Sequence, residues 1–133
     1  MIAYLFMELT DYPFFRRLVW KPIYEQLAKR LTIKDWYFMN YGYSSFQHEP
    51  PIKLEEKDEV NRYSLQLYYY LAAKVNVKDL QMLEVGSGRG GGSSKIKKYL
   101  APANMTGLDI ASNAVEFANK TLGREGLTYV QGN

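Results

Sequence analysis

The sequence contains no cysteine and a single histidine among its 133 residues. The absence of cysteine excludes disulfide bonds, thiolate metal sites and cysteine nucleophiles, and we predict no metal site. It is also compatible with a reducing compartment, so we expect a cytoplasmic protein. The histidine, His48, would suit a general base near neutral pH, but its position in an irregular segment favours a role in a surface loop.

Long apolar runs are lacking as well. No stretch approaches the roughly 18 residues that a membrane-spanning helix needs, and the apolar opening, residues 1–7, lacks the basic region of a secretory signal. The net charge of +3 is too small to indicate nucleic-acid binding. Basic residues are in excess over residues 11–34 and 61–133, and acidic residues over 49–59, a pattern typical of solvated faces.

The length fits one compact domain, and a hydrophobic content of 47% is enough to form a core. Apolar residues recur at helical spacing over residues 12–31. Residues 36–59 are predicted to be irregular, and a second helix is expected over residues 60–75. We therefore assign residues 1–59 to an N-terminal helical and irregular cap region, and residues 60–133 to the domain that follows.

From residue 80 onward, short apolar strands alternate with helices. Short connections between such elements predict a parallel sheet with right-handed crossovers, an α/β fold of the Rossmann-like kind with strand order 3-2-1. Ser112 is expected to be the N-cap of the second of these helices. The expected strands are residues 80–85, 105–110 and 127–130, and the expected helices are residues 93–100 and 112–122.

A glycine-rich segment, Gly86-Ser87-Gly88-Arg89-Gly90-Gly91-Gly92, lies between the first of these strands and the next helix. Open α/β sheets bind ligands at the carboxyl ends of their strands. Glycine lets the backbone turn tightly and lets a ligand approach closely, and the free amides at the start of the following helix can hold an anionic group. The segment is therefore predicted to bind a cofactor.

Two acids indicate which cofactor this is. Gly86, Gly88 and Gly91 match the dinucleotide pattern G-x-G-x-x-G, and Asp109 ends the second strand, where a ribose-binding acid belongs. The pattern alone leaves a nicotinamide cofactor and S-adenosylmethionine open. Glu84 favours S-adenosylmethionine, because an acid two residues before the first glycine suits a ligand with an ammonium group. A nicotinamide-dependent oxidoreductase remains an alternative.

These segments resemble class I S-adenosylmethionine-dependent methyltransferases. Residues 83–90 resemble motif I, residues 106–110 the motif whose acid binds the ribose hydroxyls, and residues 127–133 the third strand, whose end meets the adenine. The resemblance implies S-adenosyl-L-methionine as cofactor. Asn133 departs from the more frequent aspartate, although its amide oxygen can still accept from the adenine amino group. The cofactor-binding residues implied are Glu84, Gly86, Ser87, Gly88, Arg89, Gly90, Asp109, Ile110 and Asn133.

A narrower resemblance covers roughly residues 36–133. Residues 38–43, the Pro50-Pro51 step and Asn61-Arg62 resemble the phthiotriol/phenolphthiotriol dimycocerosate methyltransferases and related lipid or polyketide O-methyltransferases. This implies methyl transfer to an oxygen of a lipid-like or polyketide small molecule, with this chain supplying the cofactor-binding half. No catalytic residue can be identified from the sequence. The alternative is a non-catalytic fragment that binds the cofactor or assembles with a partner.

Only three strands are predicted, whereas a full domain of this class has further strands beside the first. We therefore expect a truncated domain whose first strand leaves an apolar edge, which another copy or another polypeptide covers. The interleaved aromatic and basic residues at 14–21 suit peripheral contact with an anionic membrane. Helix packing, with basic side chains reaching to solvent, is the alternative for that segment.

Overall fold

The computed structural model describes residues 12, 14–15, 18, 22–23, 26, 36–44 and 52–133. The chain divides into two compact units, Met1–Lys34 and Asp35–Asn133. In the first unit the described residues from Phe14 to Gln26 are helical, as expected. The other residues of the range 12–31, most of the aromatic and basic segment, and His48 lie outside the described residues. The division after residue 59 stays a prediction.

The second unit is built on three parallel strands. A 3-10 helix (Glu56–Asn61) and helix α1 (Arg62–Ala72) come first. They are followed by β1 (Gln81–Val85), α2 (Gly91–Leu100), β2 (Asn104–Asp109), α3 (Ser112–Leu122) and β3 (Leu127–Gln131). The strands pair in the order β1-β2-β3 and all run parallel, which confirms the Rossmann-like α/β sheet of order 3-2-1. Within the described residues, no helix is long and apolar enough to cross a bilayer.

The starts of α1 and α2 and the N-cap of α3 differ from the prediction, and α1 begins at Arg62 rather than at residue 60. α2 begins at Gly91, two residues early, because Gly90 takes a left-handed φ of +83° and its carbonyl already accepts the Ser94 N–H at 3.0 Å. The prediction that Ser112 is the N-cap of α3 is wrong, since Ala111 occupies that position. The Ala111 N–H donates to Oδ1 of Asp109 at 2.9 Å. This bond holds Ala111 in an extended conformation, so Ser112 becomes the first helical residue.

The core lies between one face of the sheet and helices α2 and α3. Met105, Leu127 and Tyr129 are buried on this face, and alternation along each strand brings them to the same side. The residues that pack on them from the helices are Ile96, Val115 and Ala118. Burying a side chain such as Met105 or Leu127 contributes about 1.5–3 kcal/mol.

The opposite face of the sheet is open in the part of the chain that the structure describes. Leu83 and Val85 of β1 are 59% and 75% exposed, and Val130 of β3 is 44% exposed. Of the described strands, β1 pairs only with β2. Parallel sheets are normally covered on both faces, whereas the described residues leave this apolar face and the outer edge of β1 uncovered.

An ionic cluster fixes the 3-10 helix to α2. Asp58 is buried, and its carboxylate accepts from Lys95, from Lys98 at 2.8 Å and from the Tyr99 hydroxyl at 2.6 Å. Burial by itself raises the pKa of Asp58. The three donors outweigh burial and hold this pKa well below its ordinary value of 3.8. The cluster therefore anchors the segment that precedes α1.

Replacement of Asp58 by asparagine is expected to lower the free energy of unfolding by about 1.5 kcal/mol at neutral pH, because charge-assisted bonds are lost. A folded-state pKa below the unfolded value gives stability that is present above pH 3.8 and is lost as the pH falls through the folded-state pKa. The difference in the free energy of unfolding between wild type and Asp58→Asn, measured by urea denaturation, should therefore become smaller as the pH falls below 3.8. Glu56→Gln, which removes an exposed carboxylate from the same 3-10 helix, should change little. Equal effects of the two variants would contradict the role given to Asp58.

Candidate functional site

The glycine loop, residues 86–92, leaves the carboxyl end of β1 and turns into α2. Gly86, Gly88 and Gly90 have φ angles of +79°, +52° and +83°, a region that residues with side chains rarely adopt. The N–H groups of Gly86 and Ser87 both donate to the carbonyl of Leu108, at 2.8 and 3.0 Å. The loop is therefore pinned to the end of β2, at the edge of the sheet where the sequence predicts a ligand.

The first half of the loop faces open space, and the second half is packed. A Cβ placed on Gly86 would meet no described atom within 4 Å, and one on Gly88 would meet Sδ of Met39 at 3.7 Å. A Cβ on Gly90 would lie 2.6 Å from the ring of Tyr129. A ligand can therefore approach the backbone at Gly86 and Gly88, whereas Gly90 serves the packing of the loop.

The predicted ribose-binding acid and the glycine loop meet directly. Gly88 N–H donates to Oδ2 of Asp109 at 2.7 Å, while Oδ1 accepts the Ala111 N–H at 2.9 Å. A carboxylate offers about four lone-pair positions, so the two oxygens of Asp109 keep acceptor capacity for hydroxyl groups. The structure thus brings together two features that lie 21 residues apart in the sequence.

Tyr129 supports the loop from below, a role that the sequence did not reveal. Its hydroxyl donates to the Gly90 carbonyl at 2.8 Å, and its side chain is buried over Gly107. The side-chain amide of Asn119 in α3 bonds both the N–H and the carbonyl of Tyr129, at 3.0 and 2.7 Å. The pairing of Gly107 with Tyr129 in the sheet register was the available signal, because a glycine leaves room for a ring on the next strand.

Loss of the Tyr129 hydroxyl is expected to loosen the loop. In Tyr129→Phe the buried Gly90 carbonyl keeps the Ser94 N–H but loses the second of its two donors, so the free energy of unfolding should fall by about 1 kcal/mol. Hydrogen exchange of the Gly90 N–H, which donates to the Ser87 carbonyl at 2.9 Å, should accelerate. Tyr69→Phe removes a hydroxyl from α1 as the matched control. If both variants leave Gly90 exchange unchanged, Tyr129 does not hold the loop.

Glu84 contacts the first turn of α2. Its carboxylate accepts from both the hydroxyl and the backbone N–H of Ser93. Burial raises the pKa of Glu84, the bonds from Ser93 oppose this rise, and the negative charge of Asp109 adds to it. The carboxylate thus accepts one amide of the first turn of α2, and its predicted contact with an ammonium group stays a prediction.

A segment ahead of α1, residues 36–44, crosses the loop. The carbonyl of Tyr37 lies against Gly91, and the thioether of Met39 faces Gly88. Asn40 Nδ2 donates to the carbonyl of Ser64 in α1 at 3.3 Å. The sequence predicts this segment to be irregular and does not reveal these contacts, because they join residues 24 to 54 positions apart.

The remaining predicted site residues lie around the loop. Ser87 and Arg89 are buried, and Ser87 Oγ and Arg89 Nε have no hydrogen-bond partner among the described residues. The Gly132 N–H donates to the carbonyl of Asp109 at 3.0 Å, which brings the end of β3 beside the end of β2. Ile110 is half-buried there and Asn133 is exposed. Their predicted contacts with a cofactor stay predictions.

Comparison with known proteins agrees with this geometry. The family described as "Methyltransferase domain" matches residues 83–133, which begin in β1 and contain the glycine loop, Asp109 and β3. The fatty-acid O-methyltransferase of Mycolicibacterium smegmatis is 43% identical over 115 residues, covering 85% of this chain and 41% of that protein. The phthiotriol/phenolphthiotriol dimycocerosates methyltransferases of Mycobacterium leprae and Mycobacterium tuberculosis are each 34% identical over 117 residues, covering 86% of this chain and 42% of theirs.

The chain thus spans about two fifths of the length of the curated relatives it matches. Among solved structures, a Galdieria sulphuraria protein assigned as a sarcosine dimethylglycine methyltransferase superposes with a TM-score of 0.48 and 19% identity, over 56% of this chain and 31% of that chain. The family match and the curated relatives share the segment in which the glycine loop and Asp109 meet. Residues 83–133 match a methyltransferase domain, and 85–86% of the chain is similar to part of curated methyltransferases.

Proposed function

We propose that the glycine loop and Asp109 bind S-adenosylmethionine, and that the intact protein transfers its methyl group to an oxygen of a lipid-like acceptor. The observation that carries this proposal is the Asp109 carboxylate, which is held by the Gly88 and Ala111 amides at the carboxyl ends of the strands. This arrangement presents a fixed acceptor for paired hydroxyls beside a loop that is open to a ligand.

The residues present fit this cofactor. Gly86 and Gly88 leave free the space that a Cβ would fill, and Asp109 keeps lone pairs for the ribose. In this proposal Glu84 and residues 86–90 hold the methionine part, while Ile110 and Asn133 lie beside the adenine. When bound, S-adenosylmethionine supplies a methyl group that is already activated on a sulfonium.

The chain's own contribution is binding and orientation. With an activated donor, catalysis consists largely of holding the acceptor oxygen in line at near-attack distance. Support for an oxygen acceptor on a lipid comes from relatives named as a fatty-acid O-methyltransferase and as phthiotriol/phenolphthiotriol dimycocerosates methyltransferases. We assign no general base.

The test is a transfer assay with the intact protein. Methyl-labelled S-adenosylmethionine is incubated with a medium-chain fatty acid or with a hydroxylated lipid, and labelled methyl ester or ether is then extracted and identified. Labelled product that depends on Asp109 supports the proposal. Donor binding without transfer to either acceptor would favour the non-catalytic alternative, and absence of donor binding would refute the proposal.

The open apolar face of the sheet supports a proposal about partners. Leu83 and Val85 are exposed beside the unpaired edge of β1. We expect the 133-residue chain, produced alone, to form a dimer or larger species, because such an edge recruits a second copy. Sedimentation velocity checks this, and Val85→Lys should shift the distribution toward monomer. A monodisperse monomer of the unmodified chain would contradict it. A cytoplasmic location, with peripheral membrane contact through residues 14–21, completes the proposal.

A further inference from the structure

Arg89, in the middle of the glycine loop, is a buried cation that has no counterion among the residues that the structure describes. Its residue is 6% exposed, and its guanidinium lies 3.6 Å from the ring centroid of Phe117 in α3. Within the described part of the chain, the Arg89 Nε has no hydrogen-bond partner and no ion pair includes Arg89. Burial lowers the pKa of this guanidinium, and the nearby Tyr37 opposes that effect.

Burying a charge without a partner is unfavourable, and a ring contact does not replace the lost water. The two carboxylates of the site are engaged elsewhere. Glu84 accepts from Ser93, and Asp109 accepts two backbone amides. The neighbours of the guanidinium, Phe117 and Tyr37, have ring centroids 6.1 Å apart. They offer aromatic rings and no carboxylate. The loop therefore holds one unused positive group at the ligand-binding edge of the sheet.

The start of α2 is not a competing site for an anion. The Glu84 carboxylate already accepts the Ser93 N–H and hydroxyl in the first turn of this helix, and the Tyr37 carbonyl lies against Gly91. A second negative group at this helix terminus would meet the charge of Glu84. An anion entering the loop is therefore drawn to the guanidinium of Arg89.

We infer that Arg89 receives the carboxylate of a bound ligand. The guanidinium fork matches a planar carboxylate with two parallel bonds. The inference rests on the proposed function, because both ligands proposed there carry this group: the donor has an α-carboxylate, and a fatty-acid acceptor has a terminal one. Pairing would neutralise the buried charge, so the bound ligand would itself provide the counterion of Arg89.

The test uses the intact protein with Arg89→Gln, and calorimetry with four ligands: S-adenosylmethionine, its decarboxylated form, dodecanoate and methyl dodecanoate. If the donor supplies the carboxylate, wild type prefers S-adenosylmethionine to the decarboxylated form by about tenfold or more, and Arg89→Gln loses this preference. If the acceptor supplies the carboxylate, wild type prefers dodecanoate to methyl dodecanoate, and Arg89→Gln loses that preference instead. A variant that keeps both wild-type preferences overturns the inference, as does a wild type that shows neither.

Folding provides an independent readout. Removal of an unpaired buried charge should leave the melting temperature of the ligand-free protein unchanged or higher. The matched control is Arg124→Gln, because Arg124 is a structural arginine that donates to Ser94 Oγ at 3.1 Å and to the Leu122 carbonyl at 3.0 Å. It should lower the melting temperature and keep both ligand preferences. A wild type that binds dodecanoate through Arg89 but not S-adenosylmethionine would refute the proposed donor and retain the inference.

Discussion

Gly88→Val is expected to abolish donor binding, with a loss of affinity of about a hundredfold or more, while the helical content stays largely intact. Gly88 has a φ of +52°, and a Cβ there would enter space bounded by the Met39 thioether. A β-branched side chain in this conformation is strained, and its methyl groups would occupy the ligand's approach. Calorimetry measures the affinity, and far-ultraviolet circular dichroism measures the helical content.

Two further variants separate the causes. Gly88→Asn tolerates the left-handed backbone better than valine, so its binding loss reports mainly on space rather than on strain. Leu83→Ala, at an exposed position of β1, is the control and should bind the donor normally. Retained binding in Gly88→Val would mean that the loop does not cradle the cofactor.

Asp109→Ala is expected to weaken S-adenosylmethionine binding by more than tenfold, equivalent to about 1.5–3 kcal/mol for charge-assisted bonds. The change removes the proposed acceptor for the ribose hydroxyls and also the acceptor of the Gly88 and Ala111 amides. The loop should therefore lose order as well as a ligand contact. Calorimetry on the intact protein measures the change in dissociation constant.

Asp109→Asn is the informative companion. It keeps one carbonyl oxygen that can still accept a backbone amide, but it loses the charge and half of the acceptor capacity. We expect an affinity between those of wild type and Asp109→Ala. An unchanged dissociation constant in the alanine variant would refute the assignment of Asp109 to the ribose.

The sequence predicted the parts of the site that depend on local pattern. Alternating strands and helices imply the parallel order of β1, β2 and β3, and this order places both the glycine loop and Asp109 at one edge of the sheet. A glycine pattern of this kind predicts positive φ angles, and Gly86, Gly88 and Gly90 have them. These features follow from neighbours in the chain and from the geometry of a parallel sheet.

Features that depend on distant packing escaped prediction. The contact of Met39 with Gly88 and the bond of Tyr129 to Gly90 join segments 39 or more residues apart. The burial of Arg89 depends on Phe117, which lies on the next crossover helix. The N-cap of α3 is Ala111, whose N–H donates to the side chain of Asp109. The preference of serine for N-cap positions, which favoured Ser112, takes no account of this bond.

The measurement that tests the central claim most directly is a calorimetric titration of the intact protein with S-adenosylmethionine and, separately, with an oxidised nicotinamide dinucleotide. We predict saturable binding of one S-adenosylmethionine per chain, lost in Gly88→Val, and no binding of the dinucleotide. Binding of the dinucleotide in place of S-adenosylmethionine would contradict this claim, and so would S-adenosylmethionine binding that is unchanged in both Gly88→Val and Asp109→Ala.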